Sequence, residues 1–148
     1  MPLSIREQAL SALFARFKAA PGFRLVERNW TGQPGGGDFP ALVQFDGGEE
    51  VDEEATCNYQ LSSDVIVGLW IDAGKTENIG PKISDCIALV KLAALGDQTL
   101  SGAARGVEYR GSPQPELDEE SGGTPFVFIE MNFGVLFEHS ETDPFTKA

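Results

Sequence analysis

The sequence predicts an α+β fold: an antiparallel or mixed β-sheet flanked by two helices, in the order α-β-β-β-α-β-β. Three observations predict it. Apolar residues recur every three or four positions over 4–20 and again over 81–95, the spacing of helices with one buried face. Strict alternation runs through 65–71 and 125–138, the spacing of strands. Stretches rich in glycine, proline or acid separate these segments. At 148 residues the chain, 1–148, is read as one domain, long enough to bury a core without disulfides or metals.

The first helix covers 4–20. Ser4 and Glu7 have the spacing of a capping box. Ile5, Ala9, Leu10, Leu13, Phe14 and Phe17 share a face, and Pro21 with Gly22 stops the helix. A loosely alternating strand follows over 23–30, then a glycine-rich loop over 32–40. That loop lacks the Lys–Ser/Thr ending of a P-loop, so a connector is expected, with Trp30 beside it as a lid on the core. Residues 41–45 make a short strand, with Ala41, Val43 and Phe45 on one face.

Six carboxylates crowd residues 46–54, DGGEEVDEE: Asp46, Glu49, Glu50, Asp52, Glu53 and Glu54. A divalent-metal site or an acidic contact surface are the functional readings. The spacing fails the calcium-loop pattern, and a solvated hairpin tip is expected. The returning strand, 56–72, buries Val65, Val67, Leu69 and Ile71, while Ile66, Gly68 and Trp70 leave its other face apolar enough to be partly covered.

Residues 81–111 form one unit of helix, tight turn and strand. Ile83, Ile87, Val90 and Ala94 make the helical stripe, widened by Cys86, Leu89 and Ala93. Pro81 suits a first helical position and Gly96 a left-handed closing residue. A polar turn spans 97–102, and a strand starts at Val107. The following RGSPQPELDEESGG, with Glu116, Asp118, Glu119 and Glu120, is expected to be a mobile loop. In the last strand Val127, Ile129, Met131, Phe133, Val135 and Phe137 point one way. The tail, 139–148, is expected to fray or to dock on a neighbour.

The net charge of −12 is unevenly placed. Residues 1–28 carry five basic against two acidic groups, +3, and the remainder six against twenty-one, −15. Such a surface repels nucleic acid and anionic lipid, and it suits contacts between unlike patches. Two cysteines, Cys57 and Cys86, make no disulfide framework, and reduced thiols are expected. No basic start with an apolar segment opens the chain and no run of eighteen apolar residues exists, so neither secretion nor a membrane span is expected.

Motifs that carry chemistry are missing. The only histidine, His139, lies beyond the last strand, no Gly-x-Ser-x-Gly occurs, and neither Cys-x-x-Cys nor His-x-x-x-His is present. No enzyme activity, metal or cofactor is expected.

Three segments carry a family resemblance: Ile5–Arg6 opening the first helix, LGDQTLSGAARGVEYRG over 95–111, and the closing FVFIEMNFGVLF. With the order of elements, they resemble the tail terminator proteins of long-tailed bacteriophages, the group of the lambdoid minor tail protein U. Asp97, Thr99, Leu100 and Gly102 match that family's Asp-x-Thr-Leu-x-Gly turn. The resemblance implies a virion structural protein without catalytic activity. It implies a homo-oligomeric ring, typically a hexamer, at the head-proximal end of the tail. Its partners would be the tail tube protein and the head connector, with DNA only as passing cargo. Glu49, Glu50, Asp52, Glu53, Glu54, Glu116, Asp118, Glu119 and Glu120 would then face an interface or the channel. Other head–tail junction proteins share much of the pattern. A rival reading is an acidic binding module, such as a DNA-mimicking inhibitor. Placement of ten of the twenty-three acids in two loops counts against it.

Overall fold

The structure, a computed structural model, describes residues 2–55, 58–74, 79–118 and 125–147, with backbone alone at 53–55. Helix α1 (Ile5–Ala19) leads into strands β1 (Leu25–Arg28), β2 (Ala41–Ala55) and β3 (Asn58–Asp72). Helix α2 (Gly80–Leu95) follows, then β4 (Gly106–Gly111), β5 (Glu116–Asp118), β6 (Phe126–Ser140) and β7 (Asp143–Lys147). The expected α+β order is present, with two short strands added. Among the described residues no helix is long and apolar enough to cross a membrane.

The sheet is mixed, in the order β1-β2-β3-β6-β4. β1 runs parallel to β2, and the remaining pairs are antiparallel. β6 organises it. One edge pairs with β3 along its full length, from Asp72↔Phe126 to Asn58↔Ser140. The other edge takes β5, β4 and β7 in succession. β6 is buried along most of its length, so its backbone groups are shielded from water and need partners on both edges, and burial holds the register.

The two helices share one face of the sheet rather than one lying on each. Leu10, Leu13 and Phe17 of α1 and Val90 and Ala94 of α2 join one core with Val65, Val67, Leu69, Ile129, Met131, Phe133 and Val135. The register pairs Val65 with Phe133 and Val67 with Met131, so the odd-numbered residues of both strands look toward the helices. Ser4 caps α1, its Oγ accepting from the Glu7 N–H at 3.0 Å. Only half of the capping box forms, because the Glu7 carboxylate turns to Arg28 instead.

Gly96 is a right-handed residue (φ −64°), not the left-handed one expected. Its glycine answers a close approach: a Cβ there would sit 2.5 Å from the Leu92 carbonyl oxygen and 3.1 Å from an Arg16 nitrogen. The positive φ values come later, at Leu100 (49°), Ser101 (57°) and Gly102 (89°).

The acidic stretch 46–54 is not a hairpin tip. It is the outer half of β2, paired with β3 as far as Ala55↔Asn58. Two register shifts, between Asp46 and Glu49 and between Val51 and Glu53, each absorb one extra residue of β2. Bulges of this kind bend and twist a strand while its pairing continues. Gly47 and Gly48 mark the first of them, and a glycine pair reads as a loop when only the sequence is seen. Glu116 and Asp118 likewise lie on a strand, β5, paired with Phe128 and Phe126, and not in a loop. The tail forms β7 against β6.

Candidate functional surfaces

Three surface features stand out. The first is a polar clamp that ties α1 to β1 and β2. Arg28 holds Glu7 through two hydrogen bonds of 2.7 and 2.8 Å, and reaches Asp46 at 2.7 Å with its other side. Asn29 donates to Asp46 at 2.9 Å and accepts from its backbone N–H at 2.8 Å. Gln44, fully buried, donates to Asp46 and to the Leu10 carbonyl. The Arg28 hydrogen bond holds the Glu7 carboxyl below its ordinary range. Burial pushes Asp46 up, but hydrogen bonds from Gln44, Arg28 and Asn29 outweigh it and leave its carboxyl lowered. Asp46, counted in the sequence with the exposed acids, is therefore a structural group. Arg28 and Gln44 carry no pattern that would single them out.

The second feature is the turn after α2. Asp97 accepts from the Thr99 hydroxyl at 3.0 Å and from the Ser101 backbone N–H at 2.8 Å. The Ser101 hydrogen bond leads in holding its carboxyl below the usual value. Leu100 is buried under the turn. The residues of the Asp-x-Thr-Leu-x-Gly match thus divide the work. Asp97 and Thr99 tie the loop, Leu100 anchors it and Gly102 takes the left-handed exit. The turn builds a shape and presents no reactive group.

The third is the sheet face opposite the helices. Neither α-helix packs on it. Its centre is aromatic: Trp70 and Phe128 lie 4.9 Å apart between ring centroids. They close over Gly68, where a Cβ would come within 2.9 Å of the indole and 3.2 Å of Phe128. Phe45, Ile66 and Leu136, all half-buried, extend the apolar patch. By register Glu27, Asp64, Glu108, Glu116 and Glu130 surround it, and Arg110 crosses it to reach Asp64 at 2.6 Å. An acidic rim with an apolar middle results. The helix layer on the other side has the opposite sign. α1 and α2 hold Arg6, Arg16, Lys18, Lys82 and Lys91 against Glu7 and Asp85, five minus two, or +3 in a chain of −12.

The acids named in the sequence do not gather at one site. Glu49 pairs with Arg6 at 3.6 Å, and Glu50 is exposed on the outer part of β2. Asp52 accepts from Ser62 at 3.2 Å. Glu53 and Glu54 are on the β2 backbone, opposite Gln60 and Tyr59. Glu116 and Asp118 lie on β5 at the other end of the sheet, and Glu119 and Glu120 fall outside the described residues. Among the described residues no three His, Cys, Asp or Glu come together as metal ligands. Cys86 is buried and its thiol pKa is raised by that burial. Two open grooves, of about 240 and 250 Å³, meet at Arg105, which pairs with Glu138.

No protein-family model matches the chain, and no curated protein matches it. Among solved structures, one that carries no functional description aligns at 16% identity and a TM-score of 0.48, over 89% of this chain and 96% of that one. A chain from the virion of a native gene transfer agent particle aligns at 16% identity and a TM-score of 0.37, over 90% of each. The chain is thus weakly similar in structure to a component of that particle.

Proposed function

We propose that this chain is a virion structural protein of the long-tailed phage type, a tail terminator. As a ring it would cap the head-proximal end of the tail tube, stop tube growth and offer a joining surface to the head connector. The observation that carries the reading is the turn at 97–102. The residues that resemble the family's motif are the ones that tie, anchor and close it. The element order of the resemblance is also present. The work is assembly, not catalysis, and its place is the particle after the host cell has built it.

A head-to-tail ring needs two unlike surfaces on one subunit, and contacts that close by rotation. The test is capping. Purified protein added to polymerising tail tubes should shorten them and appear as a ring at one end in electron micrographs. Tubes of unchanged length with bare ends would sink the reading. Replacing Glu49, Glu50, Asp52, Glu53 and Glu54 by their amides should impair assembly or DNA passage, because acidic walls keep DNA from sticking.

One observation favours the rival. Counted as loop residues, the acids speak against a DNA mimic, yet β2 carries six of them on a paired strand. The strand holds their backbone positions, which a loop would not, although the two bulges interrupt the alternation. Competition with duplex DNA for nucleic-acid enzymes would support that reading instead.

A further inference from the structure

We propose that the open sheet face receives the helix layer of a second copy of this chain, head to tail. The inference names the subunit contact within the proposed reading and rests on that reading for closure into a ring.

Two incomplete surfaces on opposite sides of one molecule support it. A sheet whose centre is Trp70, Phe128 and Ile66 has apolar area that helices cover in a three-layer arrangement, and this chain supplies helices to one face only. The helix layer is incomplete in the other sense. An ordinary surface helix is charged where it meets water. Here the outward positions of α2 include Ala88 and Leu92, and Leu92 is 67% exposed. Ala15 and Ala19 of α1 are exposed beside Lys18, and Leu3, 55% exposed, precedes the helix. Small side chains allow a helix to approach a sheet closely.

Charge selects the orientation. Sheet against sheet would bring the rim of Glu27, Glu108 and Glu130 onto its own copy, and helix layer against helix layer would bring Lys18, Lys82 and Lys91 onto theirs. Only helix layer against sheet brings unlike signs together around an apolar centre. Such a contact is heterologous, so each copy keeps one free surface for the next.

Light scattering on the purified chain tests this. At low salt and millimolar concentration wild-type protein should exceed its 15.9 kDa monomer mass, and added salt should weaken the association. Leu92→Glu should be monomeric with an unchanged melting temperature. Ile66→Lys should be monomeric too, and Glu108→Lys with Glu130→Lys replaces it if that variant fails to fold. Mixing the two kinds of variant in equal amounts should give dimers, since each keeps the surface the other lost. Three results would overturn the contact: a monomeric wild type, a Leu92→Glu protein that associates as wild type does, or a mixture that stays monomeric. Tube capping by wild type, with Leu92→Glu associating normally, would remove this contact and leave the tail-terminator reading standing. Association through Leu92 without capping would do the reverse.

Discussion

Arg28 and Asp46 meet at 2.7 Å across the parallel pair β1–β2, and the same guanidinium holds Glu7 on α1. One side chain thereby joins the first helix to the sheet edge. Replacing it with methionine keeps the aliphatic bulk but leaves the largely buried Asp46 without its cation. We expect Arg28→Met to lower stability by about 2 kcal/mol, less than the ~3–5 kcal/mol of a fully buried pair, because Glu7 remains partly in water. Urea unfolding at neutral pH measures it, and an unchanged midpoint would contradict it.

The same clamp sets an acid limit. Glu7 and Asp46 both have carboxyl pKa values lowered from their reference values of 4.5 and 3.8. A depressed folded-state pKa means the unfolded chain binds protons first as pH falls. The stabilisation is therefore full above those reference values and disappears as pH drops through the lowered ones. Urea midpoints measured down the acid range should fall steadily in wild type and less steeply in Arg28→Met. Parallel profiles would show that the clamp does not set this slope.

Asp97→Ala should lower the melting temperature and leave the fold intact. It removes the acceptor for the Ser101 and Thr99 groups that hold Leu100 and Ser101 at positive φ. Asp97→Asn keeps one acceptor oxygen and should lie between the two. Under the proposed function, capping should suffer in the same order. An alanine variant as stable as wild type would show that Leu100 and Gly102 hold the turn alone.

Core and surface leucine-sized groups should behave oppositely. Phe133 is 1% exposed, between β3 and β4 and beneath the helices. Phe133→Ala should cost about 3–5 kcal/mol. Leu92→Ala, on the outward side of α2, should change monomer stability by no more than about 0.5 kcal/mol. A large loss at Leu92 in dilute solution would mean that it packs within its own chain.

Much of the fold was legible because periodicity follows burial. The stripes at 4–20 and 81–95, and the alternation of Val127 to Phe137, each needed only one face in the core. The acidic stretch was misread for a physical reason. Carboxylates and paired glycines prefer loops in isolation, but cross-strand pairing that begins at the apolar half of β3 continues along its polar half, from Ser63 to Asn58, and carries β2 through them, with two bulges taking up the mismatch. β5 was hidden in the same way, among prolines and acids, because its pairing partner lies elsewhere in the chain.

By itself the sequence determined the apolar stripes that form the core, where the helices begin and end, the sign of the charge and the turn at Asp97. These are properties of neighbours within a few positions. Only the tertiary structure decided that both helices take the same side of the sheet, that Asp46 belongs to Arg28, and that Trp70 and Phe128 meet on the face opposite the helices. Each joins residues at least 18 positions apart, and local patterns cannot tell which of two apolar faces a helix will choose.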